Sequence, residues 1–283
     1  MSLSRNQSRP ILLSIIFMVA TVIFWGYSFI STKIVLTEEP PVSIAFFRQI
    51  IAALILIPWV MATKSHIRVS LKDMGLILAS ALFGIVLYFI CENNGLRYTT
   101  AANASMIVAA VPIFTLFSES LFFKMKITPR MVICILLSIL GVYLIISSNG
   151  RLDFSSAAFR GNLLVIGAMV CWVIYTIINK GLSSRYSSLQ LIMDQSIGSI
   201  FLFIPFILPE AHYWQRLTWV PFFNLLYLGV FCSAISYFFF IYAVKRLGAT
   251  VSSAFLNLIP VVTVISGFFV LGEKLIWLQI LGM

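Results

Sequence analysis

Residues 11–35 read ILLSIIFMVATVIFWGYSFISTKIV, and residues 160–180 read RGNLLVIGAMVCWVIYTIINK. Each is an unbroken apolar stretch of the length a helix needs to cross about 30 Å of hydrocarbon. Each also carries a tryptophan well inside it and a lysine eight residues later, Trp25 with Lys33 and Trp172 with Lys180. The rest of the chain repeats the first property. Apolar segments cover 11–34, 42–62, 73–93, 100–123, 129–148, 160–180, 188–208, 218–243 and 250–271. A tenth begins near Leu275 and reaches Met283 before it could cross, so the last helix is expected to be incomplete. No alternating barrel pattern is visible. A chain in lipid must satisfy its own backbone groups, so each segment is expected to be a helix.

Composition agrees. Of 283 residues, 61% are hydrophobic and 10% charged, with a mean hydropathy of +1.05. A soluble fold could not hide so much apolar surface, which excludes a soluble enzyme and a disordered chain. The formal net charge of +10 is explained by topology rather than nucleic acid. With the N-terminus inside, twelve basic residues fall on the inner side: Arg5, Arg9, Lys64, Arg68, Lys72, Lys124, Lys126, Arg130, Lys180, Arg185, Lys245 and Arg246. Six fall outside: Lys33, Arg97, Arg151, Arg160, Arg216 and Lys274. That bias predicts a cytoplasmic N-terminus. The N-terminal apolar run is too long for a cleaved leader, so it is read as a retained span. The four cysteines all lie in apolar runs and fit neither a zinc nor a disulfide pattern. No metal set and no cofactor fingerprint is present, and no cofactor is expected.

The halves match at an offset of 147 to 148 residues. Beyond the Trp–Lys pairs, Pro58 lies over Pro205, and residues 96–101 over 244–249. Ser105 lies over Ser253, and Pro112 over Pro260. Five spans per repeat is an odd number, so the second copy must enter the membrane in the opposite sense. Inverted repeats of this kind recur in secondary carriers, where two copies exchanging shapes open a shared site to alternate sides. The expected fold is an all-α membrane protein of ten transmembrane helices in two inverted five-helix repeats, at 11–150 and 159–283.

Polar residues at helical spacing mark inward faces. Trp25 and Ser28, Tyr88 and Glu92, Trp172, Tyr175 and Asn179, and Ser253 and Asn257 occupy such stripes. Small residues there also serve close packing. For the bulky amphipathic ones a cavity is the better reading, and all except Glu92 are candidate substrate-binding residues. Pro112 and Pro260, each read as lying mid-span, are candidate hinges. Charges inside spans are few: Arg48, Glu92, Glu119 and Asp194. Asp194 and Glu92 are candidate proton carriers, and an Arg48–Asp194 ion pair is an equal alternative. Arg48, Glu92 and Glu119 are also near enough to span ends to snorkel toward headgroups.

With these strings in hand, the chain resembles the EamA-type members of the drug/metabolite transporter superfamily. The pieces that carry the likeness are Trp25-Gly26 with Lys33, Leu96-Arg97-Tyr98-Thr99 with Ala101, Pro112, the stretch Ala249 to Pro260, and Gly272-Glu273-Lys274-Leu275 followed by Gln279. The first repeat departs from the pattern, with Lys124-Met125-Lys126 where Gly272-Glu273-Lys274 would be matched. The resemblance implies a multi-pass inner (plasma) membrane protein with both termini cytoplasmic and a central cavity shared by the halves. It implies export of small metabolites such as amino acids or drug-like amines, and no enzymatic activity. The expected partners are a small-molecule substrate, the lipid bilayer and, as a candidate coupling ion, protons; nucleic acid is not expected. A membrane-embedded enzyme acting on lipid-linked substrates, or a channel, is the alternative. The first would need clustered acids, and the nine acids here are scattered.

Overall fold

The structure is a computed structural model that describes residues 5–123, 129, 133, 136, 137, 140 and 156–273. Most of the expected span 129–148 and all of that from Leu275 onward therefore lie outside the described residues, as do Lys124, Met125, Lys126, Arg130, Arg151 and Lys274 and the side chain of Glu119. Among the described residues the chain is all α, with eight helices long and apolar enough to cross a membrane. They are α1 (Pro10–Val35), α2 (Pro41–Thr63), α3 (Leu71–Tyr98), α4 (Ala101–Ser118), α5 (Ala157–Leu182), α6 (Ser188–Ile207), α7 (Trp219–Leu247) and α8 (Ala249–Leu271). They correspond to the eight apolar segments read from the sequence in the described regions. With connections this short, it is a multi-pass membrane protein.

Local chemistry sets the helix ends. Ser70, Thr100, Ser156 and Ser187 each accept a hydrogen bond from the backbone N–H three residues on, and so cap α3, α4, α5 and α6. Pro41 opens α2 at a position where its missing N–H costs nothing. Gly248 (φ +86°) turns the chain between α7 and α8, in a backbone region that glycine enters without steric cost.

Helices α2 and α6 lie antiparallel. Glu210, just past the end of α6, accepts from the backbone N–H groups of Val42 and Ser43 at the start of α2. At the other end, Gln190 near the start of α6 pairs with the backbone of Ile67, just past the end of α2. The pair α1 and α7 is antiparallel too. Rings meet as Tyr27–Tyr227 (5.5 Å), Phe24–Phe231 (5.2 Å) and Phe17–Phe239 (4.0 Å). So is the pair α3 and α5, which closes to backbone contact. A Cβ on Gly95 would lie 2.9 Å from the Gly161 carbonyl oxygen, and one on Gly161 would lie 2.8 Å from that of Gly95. Such contact is the main attraction between helices in lipid, where no hydrophobic force drives them together.

Irregularities recur at the same register. α3 widens to a π-helix over Leu82–Leu87, and α7 does so over Leu228–Ile235. α4 is interrupted after Val108 and restarts at Val111. α8 tightens to a 3-10 turn over Phe255–Leu258 before Ile259. Pro112 and Pro260 each lie at the start of the restarted segment, where no intrahelical donor is required. Both lie mid-span, within α4 (Ala101–Ser118) and α8 (Ala249–Leu271).

Candidate functional site

The π segments of α3 and α7 lead directly into the side chains that meet at the bundle's centre. A cavity there is lined by Trp25, Ser28 and Phe29 of α1, Arg48 of α2 and Tyr88, Phe89 and Glu92 of α3. Val108 of α4, Trp172 of α5, Tyr237 of α7 and Leu256 and Ile259 of α8 complete it. Its volume is about 30 Å³. A water needs roughly 10–15 Å³ measured this way, so the space takes a water or two and no metabolite.

The rings fill the space by edge-to-face contact. Trp25 lies 5.1 Å from Trp172 at 88°, and 5.5 Å from Tyr237 at 73°. Trp172 also meets Tyr88, Tyr175 and Tyr237 at 4.9–5.6 Å. Trp25 Nε1 donates to the Cys232 carbonyl (3.0 Å), and the Tyr237 hydroxyl donates to the Gly84 carbonyl (3.0 Å). The indole N–H of Trp172 is buried without a partner.

Charge enters from the first half alone. Arg48 is 2% exposed. Its Nε donates to Ser233 Oγ (2.7 Å), and its guanidinium lies 4.1 Å over the Phe89 ring. Glu92 is also buried and accepts from the Tyr88 hydroxyl (2.6 Å), within the field of Arg48. Both charges are therefore interior, and the snorkelling expected for Arg48 and Glu92 is corrected. A centrally placed ion is costly in lipid, and a ring face, a hydroxyl and an opposite charge compensate it.

Among the sequence candidates, Trp25, Ser28, Tyr88, Trp172, Arg48 and Glu92 line this cavity. Tyr175 and Asn179 lie behind it. The Tyr175 hydroxyl donates to Gln195 Oε1 (3.4 Å), and Gln195 Nε2 donates to Asn179 Oδ1 and Ser80 Oγ (both 2.8 Å). Ser253 is buried with no partner for its hydroxyl, while Asn257 is exposed. Neither lines the cavity. Asp194 is half-buried near Gln190 and His66, so Arg48 contacts Ser233 and the Phe89 ring rather than Asp194. Tyr237, Phe89 and Ser233 were missed. The repeat could have flagged Tyr237, since it lies over Phe89 at the 148-residue offset, next to the Tyr88 already chosen.

Each end carries its own ties between the halves. At the end carrying residues 36–40, carboxylates cap helix N-termini across the halves. Glu38 accepts from Thr218 N and Oγ1 (2.7 and 2.6 Å), and Glu210 from Ser43 N and Oγ (2.7 and 2.9 Å). Glu273 accepts from Ala101 and Ala102 N (2.9 and 3.1 Å), with Lys33 Nζ at 3.9 Å. Glu39 is buried beside Glu38 and Glu210. Burial holds its carboxyl above the usual carboxylate range against a backbone hydrogen bond from Gln215, and the two neighbouring carboxylates add to the rise. A hollow of about 720 Å³, lined by Glu39, Arg216 and Trp219 among others, lies at this end. At the opposite end Asp73 accepts from Arg185 and Tyr186, and Ser187 donates to the Ser65 carbonyl.

Comparison with known proteins follows this geometry. The EamA-like transporter family matches residues 12–147 and again 159–283. An uncharacterized transporter of Archaeoglobus fulgidus is 31% identical over 257 residues, covering 90% of this chain and 88% of its own. The uncharacterized transporter YcxC of Bacillus subtilis is 31% identical, covering 91% and 85%. A protein of Streptantibioticus cattleyicolor named "Probable terminal-alkyne amino-acid exporter" is 25% identical, covering 90% and 84%. One crystal structure superposes with a TM-score of 0.67 at 14% identity, covering 95% of this chain and 93% of that one, which is a likeness of fold.

Proposed function

The chain belongs to the EamA-like transporter family, and on that premise we propose that it is a secondary carrier that exports a small metabolite by alternating access. The substrate is an amino acid or a drug-like amine, and the cavity at the bundle's centre is its binding site. The observation that carries the reading is the presence of one buried guanidinium and one buried carboxylate in the wall of one aromatic box. That set complements a zwitterion or an amine with an apolar body, through charge at one end and ring faces at the other. The named exporter from Streptantibioticus cattleyicolor supports the amino-acid class.

The mechanism follows from two five-helix repeats, at 11–150 and 159–283, inserted in opposite senses with both termini cytoplasmic. The antiparallel pairing of α2 with α6 supports this, as do the reciprocal pairs α1–α7 and α3–α5 and the matched π segments. Ten helices in the plasma membrane complete the proposal. In each half the hinge is the interruption at Pro112 or Pro260. Glu92 is the proton carrier of choice, because it is buried, faces the cavity and needs Arg48 or a proton to balance it. Trp25, Ser28, Tyr88 and Trp172 form the substrate's walls, and Tyr175, Asn179 and Ser253 support them from behind.

The test is exchange in liposomes. Purified protein should exchange a labelled amino acid or amine found first by thermal stabilisation, since a ligand bound only by the native form raises its unfolding temperature. Trp172→Ala should abolish exchange in a protein that still folds. Unchanged exchange would remove the cavity from the pathway.

A further inference from the structure

The two π segments place equivalent carbonyls at the cavity wall. Gly84 and Cys232 stand 148 residues apart, the offset of the repeat in this region. Each carbonyl accepts a side-chain hydrogen bond from a cavity aromatic, Gly84 from the Tyr237 hydroxyl and Cys232 from the Trp25 indole. A π turn widens the helix and turns its carbonyls toward such donors.

The donors are not symmetric. Trp25 has its counterpart in Trp172, 147 residues later. If the halves behaved alike, the Trp172 indole would donate to the Gly84 carbonyl. It does not. That carbonyl is occupied by Tyr237, and Trp172 Nε1 is buried with no partner, its ring 5.6 Å from the Tyr237 ring. The counterpart of Tyr237 is Phe89, which has no hydroxyl to offer Cys232. A buried donor without an acceptor costs free energy, so this arrangement is one of two that the symmetry allows.

We propose that the Trp172 indole N–H and the Tyr237 hydroxyl compete for the Gly84 carbonyl, and that passing the carbonyl from one to the other switches the molecule between its two facing forms. In the form described here Tyr237 holds Gly84 and Trp25 holds Cys232. In the opposite form Trp172 holds Gly84, and Trp25 releases Cys232. Tyr237 is thus a positioning residue that couples the π segment of one half to the wall of the other. The inference rests on reading the cavity as the pathway of a two-state carrier.

Val42 and Leu189 are equivalent residues at opposite ends of the bundle, and both are buried. Val42→Cys and Leu189→Cys, made separately in the full chain in liposomes without substrate, report each mouth through labelling by a water-soluble maleimide. Tyr237→Phe should change the ratio of labelling at position 42 to that at position 189 by about two- to tenfold, the range one hydrogen bond sets. Trp25→Phe should move it in the same direction, since it removes a bond of the same form. Trp172→Phe should move it the opposite way and cancel the effect of Tyr237→Phe when the two are combined. If Tyr237→Phe fails to fold, the opposite signs of Trp25→Phe and Trp172→Phe still decide the matter. A ratio that stays constant, or shifts of one sign in all three variants, would overturn the switch even if liposomes exchange substrate. The expected signs with no exchange of any metabolite offered would support the switch and sink the carrier reading alone.

Discussion

At the level of single residues, the two halves have kept their geometry and divided their chemistry. Arg48, Tyr88 and Glu92 of the first half lie over Gln195, Ser236 and Phe240 of the second. The ionic groups of the cavity therefore come from one copy, while its rings come from both, Trp25, Phe29, Tyr88 and Phe89 from the first and Trp172 and Tyr237 from the second. Glu92→Gln should keep substrate exchange but abolish the stimulation of flux by an imposed pH gradient, measured in liposomes with an acidic and a neutral side. Gly84 is held by sterics, since a Cβ there would overlap the Tyr175 ring. Gly84→Ala should lower stability by about 1–3 kcal/mol, the usual cost of overpacking, read as a fall in unfolding temperature. Glu39 gives a pH-dependent case. Its carboxyl is raised in the folded protein, so its contribution is fully favourable below the unfolded carboxylate range and declines as pH rises through it. Glu39→Gln should therefore unfold at a higher temperature than the parent at about pH 7, and the gap should close near about pH 4.

At the level of elements, the helices were legible and their irregularities were not. Apolar length marked α1 to α8, because lipid allows no other solution for the backbone. Pro112 and Pro260 marked the interruptions in α4 and α8. Nothing in Leu82–Leu87 or Leu228–Ile235 marks a π turn. Both read as ordinary apolar sequence, and each packs closely on a helix distant in sequence, Gly84 against Tyr175 and Gly229 against Ile51. The caps also include partners distant in sequence. Pro40 precedes α2 with no side-chain cap, and the start of that helix is held by Glu210. Glu210→Ala should cost about 1–2 kcal/mol, as for other lost N-caps, whereas Glu210→Gln, which keeps one acceptor, should cost less. Thermal unfolding of the two variants side by side checks the order.

At the level of the whole molecule, a carrier working by alternating access would have to break one set of end ties at a time. Cysteines replacing Glu38 and Thr218 should cross-link at one end, and cysteines replacing Ser65 and Ser187 at the other. Either cross-link should stop exchange in liposomes, and reduction should restore it. Exchange that continued with one end covalently closed would contradict alternating access. The sequence by itself determined that this is a multi-pass helical membrane protein of the EamA-like type, since span length and the order of loops depend only on the chain and the thickness of lipid. It also determined the repeat register, which is a property of residue order. The tertiary structure alone decided which polar residues share a cavity. Arg48 and Glu92 met there while Asp194 and Asn257 did not, because a helical stripe fixes a direction about its own axis but not the rotation of its neighbours. That rotation is set by packing, where Gly95 meets Gly161 and Phe17 stacks on Phe239, and packing is decided among helices far apart in sequence.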